Sequence, residues 1–480
     1  MIARIARRLR ARAADESGFT IIEVMIAMMV FALISIGVAY GITNSLVLTQ
    51  DSRYRQAALN LASQDIDQLR SQVQANGDAI LGIKQKLGTS ATVGGQKYTI
   101  DRTVAWVNSD GSSGACGTGS GTLAYKSISE KVSWNTKSNA RSVTMDTLLA
   151  PTANINDDTK GTIIVAATDA GGNGAAGLTV AVTPVAGTGA SALTATPALT
   201  DAQGCSYALR VTPGTYSVTV TRSGGVDAKT QTSVGKNDNV IVGAGANSSI
   251  TFTYDTAATY KLQYRTLQTA PTAVLPTNLT ETLWNKLGAL TPAVTAANTS
   301  ATPVVTAFPF KDGYRGYAGS YVNATGGGSA TCVDPNPATW TTPASDGAIG
   351  LDVVPSSVAP GDRNVPVTLP LGVITLNGLK SGQYITAVTA SSAPGDPGCQ
   401  TGQTLTFPAV SGSTQAIGLP FGTWSLYSGS SSGATTTNLV AANASNVVPV
   451  TRGTVNQQSL VGVVTWANTV TLDPRQTAAS

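Results

Sequence analysis

The chain has 480 residues, 42% hydrophobic and 12% charged, with a formal net charge of +4. That much apolar content with so little net charge excludes an intrinsically disordered chain, while 50 Gly and 22 Pro describe short strands joined by turns. There is no histidine, so the commonest general base and the commonest metal ligand are both missing.

The charge is lopsided. Arg4, Arg7, Arg8, Arg10 and Arg12 stand against only Asp15 and Glu16 ahead of Gly18, a net of +3 out of the chain's +4. Everything after Gly18 is close to neutral, so no nucleic-acid partner is expected. The basic stretch leads into VMIAMMVFALISIGVAYGI, residues 24–42. As a helix this run is about 28 Å long, close to the hydrocarbon thickness of a bilayer. Arginines on its N-terminal side predict an N-terminus held in the cytoplasm. A secretory signal peptide would have a shorter apolar core with a small-residue cleavage site behind it. Here the candidate processing site, Gly18-Phe19, lies ahead of the apolar run.

Glu23 is the unusual residue of this segment. A carboxylate at the start of a membrane helix is costly and ordinarily has a partner. Cleavage after Gly18 would leave Phe19 with a free α-amino group four residues upstream. Glu23 can neutralise that amine within its own chain or on a neighbour. The plainer alternative is a transmembrane anchor with one acid near the headgroups.

The run G-F-T-I-I-E-V before an apolar helix resembles the prepilin N-terminal processing and methylation motif of type IV pilins. The resemblance covers about the first 30 residues. It implies that a prepilin peptidase cuts between Gly18 and Phe19, that Phe19 becomes N-methylated, and that Glu23 supplies the charge pair for helix assembly. It also implies other pilin subunits as partners through the helix. The expected location is then single-pass in the inner (cytoplasmic) membrane before assembly, and an extracellular pilus or pseudopilus afterwards. The leader, 1–18, is long for the simplest pilins. No proline precedes Pro151, so the helix is unbroken, which leans toward a minor pilin or a pseudopilin.

Beyond the membrane, Leu46, Leu48, Tyr54, Ala58, Leu61, Ile66 and Leu69 keep a helical spacing, and Gly77 is a plausible stop. Residues 19–77 are therefore predicted as one long helix with its transmembrane part at 24–42; two helices meeting near Gln50 are the alternative. QKYTIDRTVAWV, AYKSISEKVSWN and SVTMDTLLAP read as strands, so 78–150 is expected to be an antiparallel head packed on the helix.

All 22 prolines lie from Pro151 onward. Residues 151–160 read as a linker. In 161–255, the succession of a strand, a D-x-x-G turn, a strand, T-D-x-x-G and P-G-x-Y-x-V resembles the transthyretin-like or carboxypeptidase-regulatory β-sandwich. Asp169 and Asp201 of those turns are read as turn residues rather than calcium ligands. A second β region is placed at 256–362 and a third at 363–480; a single intertwined domain over both is the alternative. In the third, Gly422-Thr423-Trp424 echoes Gly214-Thr215-Tyr216, a weak internal repeat that points to tandem sandwiches. The fold class expected is α+β: a long N-terminal transmembrane helix on a small antiparallel sheet, then two or three all-β sandwich domains.

The four cysteines, Cys116, Cys205, Cys332 and Cys399, form no C-x-x-C pair. In an exported chain they fit one or two disulfides. Cys332–Cys399, both in the C-terminal half, is the favoured pair. Cys116–Cys205 would join two different predicted domains, clamping the first sandwich to the head; free thiols are the alternative.

No G-x-S-x-G or paired-acid cluster stands in a recognisable setting, so no enzyme activity, catalytic residue, cofactor or metal is expected. The function expected is that of a minor type IV pilin-like structural subunit. Its β domains would serve adhesion or pilus initiation at a filament tip, against a surface ligand on a host or an abiotic surface. A type II secretion pseudopilin is the alternative; a DNA-uptake pilin and a tethered surface hydrolase are weaker.

Overall fold

The computed structural model describes residues 20–75, 79–114, 116–118, 121–136, 140–150, 157–266, 273–291, 303–321, 335–398, 403–457 and 467–477. The chain divides into two compact units, one holding Met1–Asn108 with Ala124–Ile155, the other Ser109–Leu123 with Asn156–Ser480.

The first unit begins with α1, Ile21–Ala75, a single helix of 55 residues, or about 82 Å at 1.5 Å per residue. Nothing in its sequence interrupts the ladder, since it lacks proline and its two glycines, Gly37 and Gly41, sit in the apolar run. A short helix α2, Ala79–Gly82, follows. Four strands then form a meander: β1 (Lys86–Val93), β2 (Gln96–Asn108), β3 (Leu123–Asn135) and β4 (Ala140–Leu149), neighbours in that order. Alternation along β3 aims Ile128, Val132 and Trp134 to the buried side.

The helix meets this sheet through a narrow stripe. Ala58, Ala62, Ile66, Leu69 and Val73, spaced by three and four, are its buried residues. Ala58 and Ala62 are fully covered and share a core with Tyr98, Val132, Trp134 and Val143. Small side chains here let the sheet approach the helix backbone, and the aromatic residues fill the remaining space. Leu46 and Leu48, on the same continuous helix as their spacing predicts, are 64% and 70% exposed. Hydropathy alone does not separate a lipid-facing leucine from a head-facing one.

The second unit opens with a seven-stranded sandwich. Its strands are β5 (Gly161–Thr168), β6 (Thr179–Pro184), β7 (Cys205–Val211), β8 (Gly214–Thr221), β9 (Gly225–Asp227), β10 (Val234–Val242) and β11 (Asn247–Thr256). One sheet runs β9–β11–β5–β7 and the other β10–β8–β6. Their inner faces bury Ile163, Val165, Val180, Tyr216, Val218, Val220 and Tyr254 in one core.

The remaining strands are β12 (Ala258–Thr266), β13 (Glu281–Asn285), β14 (Gly288–Leu290), β15 (Val304–Ala307), β16 (Arg315–Ala318), β17 (Val365–Leu376), β18 (Tyr384–Thr389), β19 (Thr404–Thr406), β20 (Gln415–Leu419) and β21 (Gly422–Gly429). After them come β22 (Thr437–Asn438), β23 (Val447–Pro449), β24 (Gly453–Asn456) and β25 (Thr469–Leu472). They do not divide at 362 as expected. β12 lies parallel to β17 in the sheet β15–β12–β17–β20. One apolar core runs from Tyr260 and Phe308 through Trp340 and Leu369 to Trp424 and Leu472. The physical reason is the strand pattern: Tyr260 and Leu262 alternate onto a buried face that only the distant β17 completes.

The internal echo has a common geometry. Gly214 and Gly422 open β8 and β21 with φ of 151° and 136°, and a Cβ on Gly214 would lie 2.4 Å from the Ala190 nitrogen. Two residues on, Tyr216 and Trp424 are fully buried. Each donates from its polar tip to a carbonyl four residues back, Tyr216 Oη to Thr212 O at 2.8 Å and Trp424 Nε1 to Pro420 O at 2.9 Å.

Ala62→Leu is expected to destabilise the first unit by about 1–3 kcal/mol through overpacking, whereas Gln56→Ala, on the exposed side of α1, should change stability by less than about 0.5 kcal/mol. Thermal unfolding of the full chain in detergent, read from tryptophan fluorescence, checks this.

Candidate functional site

The segment that the sequence marks for membrane insertion is built on the first half of α1. From Ile21 to Gln50 every residue is exposed. This includes Ile21, Met25, Phe31, Ile34, Ile36 and Leu48. It is the one helix among the described residues that is long and apolar enough to cross a membrane, with mean hydropathy 2.6 over its best window. None of the described residues covers these side chains.

Gly18 and Phe19 lie outside the described residues. Glu23 is exposed on the first turn, and its backbone has a definite role. Glu23 N donates to Thr20 O at 3.0 Å and approaches Thr20 Oγ1 at 3.3 Å. Thr20-x-x-Glu23 is thus a capping-box sequence, and the acid stands where the helix dipole favours negative charge. Reading Glu23 only as half of an intermolecular charge pair overlooks this. The signal was present in the spacing of Thr20 and Glu23.

Cys116 and Cys205 are joined in a disulfide, with Cα atoms 5.2 Å apart. Cys332 and Cys399 lie outside the described residues. The bridge explains a departure from the predicted domains: the segment 109–123, between β2 and β3, groups with the second unit rather than with the head. Its base is closed by Ser109 N to Thr122 O at 2.8 Å and Thr122 N to Ser109 Oγ at 3.0 Å. Asn247 Nδ2, at the start of β11, donates to Gly121 O at 2.9 Å. Closing so long a loop stabilises the fold by about 2–5 kcal/mol.

Asp169 and Asp201 are engaged as turn residues. Asp169 Oδ1 accepts from Gly171 N and Asn173 N at 2.9 and 2.8 Å. Asp201 Oδ1 accepts from Gln203 N and Cys205 N at 3.0 and 2.9 Å. Among the described residues no group of three or more Cys, Asp or Glu is placed to hold a metal ion.

The titratable groups that do converge are structural. In the first unit Arg102 of β2 bridges Asp65 of α1 and Glu130 of β3. Arg102 Nε lies 3.1 Å from Asp65 Oδ2 and 2.5 Å from Glu130 Oε1. Glu130 is fully buried. Burial, reinforced by the neighbouring Asp65, pushes its carboxyl up to about 7 against the pull of Arg102. Asp65 also meets a desolvation penalty, but its contacts with Glu130 and Arg102 outweigh it and hold the carboxyl below its usual value.

In the second unit, burial raises Glu281, which accepts a hydrogen bond from Tyr264 Oη. Burial likewise raises Asp396, which accepts from Thr423 Oγ1 at 2.7 Å. A cavity of about 530 Å³ lies among Thr342, Arg452, Asp473 and Arg475. Its charges are matched within the protein. Arg452 pairs with Asp346 and Asp473, and Arg475 pairs with Asp473 while stacking 5.5 Å from the Trp340 ring centre. This is an ion ladder bracing the C-terminal strand.

Comparison with known proteins places the N-terminal segment. Residues 14–39 match the model of the prokaryotic N-terminal methylation motif. With the exposed apolar helix behind that motif, the chain is type IV prepilin-like at its N-terminus. No curated protein matches the chain. Solved structures with some likeness include the Bacillus anthracis TIE protein, 11% identical with a TM-score of 0.17 over 72% of this chain and 69% of that one. Others are a streptococcal ancillary pilin, 12% identical with a TM-score of 0.16 over 52% and 83%, and BcpA, the major pilin subunit of Bacillus cereus, 10% identical with a TM-score of 0.18 over 65% and 95%. Superpositions at these scores carry no argument about the fold or role of this chain.

The Arg102 cluster makes a pH prediction. Because Glu130 binds its proton more tightly when folded, stability rises as pH falls from about 7 toward its ordinary value of 4.5. Asp65, held low, acts in the opposite sense only below its ordinary 3.8. The midpoint of thermal unfolding of the first unit should therefore climb between pH 7.5 and 5. Glu130→Gln should flatten that climb relative to wild type; parallel profiles would contradict it.

Proposed function

We propose that this chain is a minor type IV pilin-like subunit, a structural protein rather than an enzyme. A prepilin peptidase removes residues 1–18, Phe19 becomes the methylated N-terminus, and the exposed apolar half of α1 holds the protein in the membrane until it packs against the helices of other pilin subunits. The observation that carries this reading is the methylation motif at residues 14–39 running directly into a helix whose residues from Ile21 to Gln50 are all exposed.

Packing many such helices together removes their apolar faces from lipid or water, and Glu23 decides the register. A carboxylate entering that bundle is costly unless it meets a positive charge, and the α-amino group of Phe19 on a neighbouring subunit is the charge at hand. The capping contact to Thr20 keeps Glu23 at the helix start, where this pairing is possible.

The β strands after Lys160 suit the tip of a filament better than its shaft, since a body this large is hard to repeat along a dense helical array. Adhesion to a host or abiotic surface, or initiation of the pilus, fits that place. The near-neutral chain beyond Gly18 favours neither DNA uptake nor another polyanion.

Glu23→Ala should leave removal of the leader unchanged yet lower incorporation into sheared filaments by roughly tenfold or more, the size of losing a charge-assisted contact of about 1.5–3 kcal/mol. Thr20→Ala, which removes only the cap, should cost far less. Immunoblots of sheared filaments and membranes measure both. Wild-type incorporation of Glu23→Ala would overturn the charge-pair mechanism.

A further inference from the structure

The Cys116–Cys205 bridge has a consequence for how the chain bears tension. The polypeptide passes between the two compact units three times, after Asn108, after Leu123 and after Ile155. On the first passage it enters the 109–123 segment and reaches Cys116, which is bonded to Cys205 at the start of β7. The shortest covalent route from α1 to the C-terminus therefore runs α1, β1, β2, Cys116, Cys205, β7 and onward. Residues 117–204 form a side loop on that route. The loop contains β3 and β4 of the first unit, the linker 151–160, and β5 and β6 of the sandwich.

We infer that the Cys116–Cys205 disulfide is a mechanical bypass, which carries tension past the linker and shields residues 117–204 from extension. Two features of the bridge fit this role. The bridge is buried, with Cys116 and Cys205 only 4% and 3% exposed, so bulk reductant reaches it poorly. Cys205 also begins a strand that is hydrogen-bonded along its length to β5. Force arriving at Cys205 thus enters the sandwich at the end of a laddered strand, not at a turn. The importance of such a route to a filament subunit rests on the function proposed above; the route itself does not.

The test uses the full chain in detergent, made where no prepilin peptidase is present and held by tags at both ends in magnetic tweezers. The sequence separation of 89 hides about 300 Å of extended chain at roughly 3.4 Å per residue. Fully unfolded wild type should be shorter by that amount than Cys116→Ser/Cys205→Ser. A dithiol, which supplies two electrons and two protons to turn a disulfide into two thiols, should bring wild type to the length of the variant treated with the same dithiol. Equal lengths without reductant would overturn the bypass.

A second measurement needs no cysteine variant. A protease site placed within residues 152–156 is cut while the oxidised molecule is held under force. The tether should survive the cut and part only when the dithiol is added. Parting at the moment of cleavage would show that the linker, not the disulfide, carries the load. Neither assay requires a filament, so either can fail without touching the proposed function, and the reverse also holds.

Discussion

The fold depends on one uncovered surface. From Ile21 to Gln50, α1 presents apolar side chains that no other described residue covers, while from Ala58 to Val73 the same helix is pinned by a stripe of small and aliphatic residues to its own sheet. A helix apolar on all sides belongs in lipid or among other helices. One rigid rod thus has two solvents, with the change falling near Asp51, where charged residues first enter the sequence after Glu23.

Within the head, packing and electrostatics are arranged around the same helix. Ala58 and Ala62 bring the sheet close, and Tyr98 Oη donates to the helix carbonyl of Tyr54 at 3.3 Å. Arg102 ties α1 to β2 and β3 through Asp65 and Glu130, and Arg70 reaches Thr147 Oγ1 of β4 at 2.8 Å. A buried acid such as Glu130 costs stability when ionised and is tolerated because Arg102 is at hand and because its carboxyl holds a proton up to about neutral pH. The second unit is held differently, by sheet-on-sheet burial, by the paired Tyr216 and Trp424 anchors, and by the disulfide.

Much of this was legible in the sequence where the signal is local. The apolar run that becomes the first half of α1 and the strands of the 161–256 sandwich are each set by residues close together in the chain. The repeated Gly-Thr-aromatic triplet identified both strand starts, because a glycine in an unusual backbone region followed by a buried aromatic is a local device. Other features were hidden because their partners are remote. The parallel pairing of β12 with β17 joins residues about a hundred apart in sequence, which is why 256–362 and 363–480 looked separable. The Cys116–Cys205 bond joins residues 89 apart in sequence, a pairing that no spacing rule states. The Thr20 cap was passed over because Glu23 was read for its charge alone.

Where the chain is cut decides whether its apolar helix is kept. If the N-terminal segment works as its motif implies, intact-mass and peptide mass spectrometry of the protein taken from filaments will show a chain that begins at Phe19, carries a methyl group on its α-amine and has lost the five arginines of the leader. A mature protein that still begins at Met1, or one cleaved behind the apolar run so that residues 24–42 are missing, would contradict it.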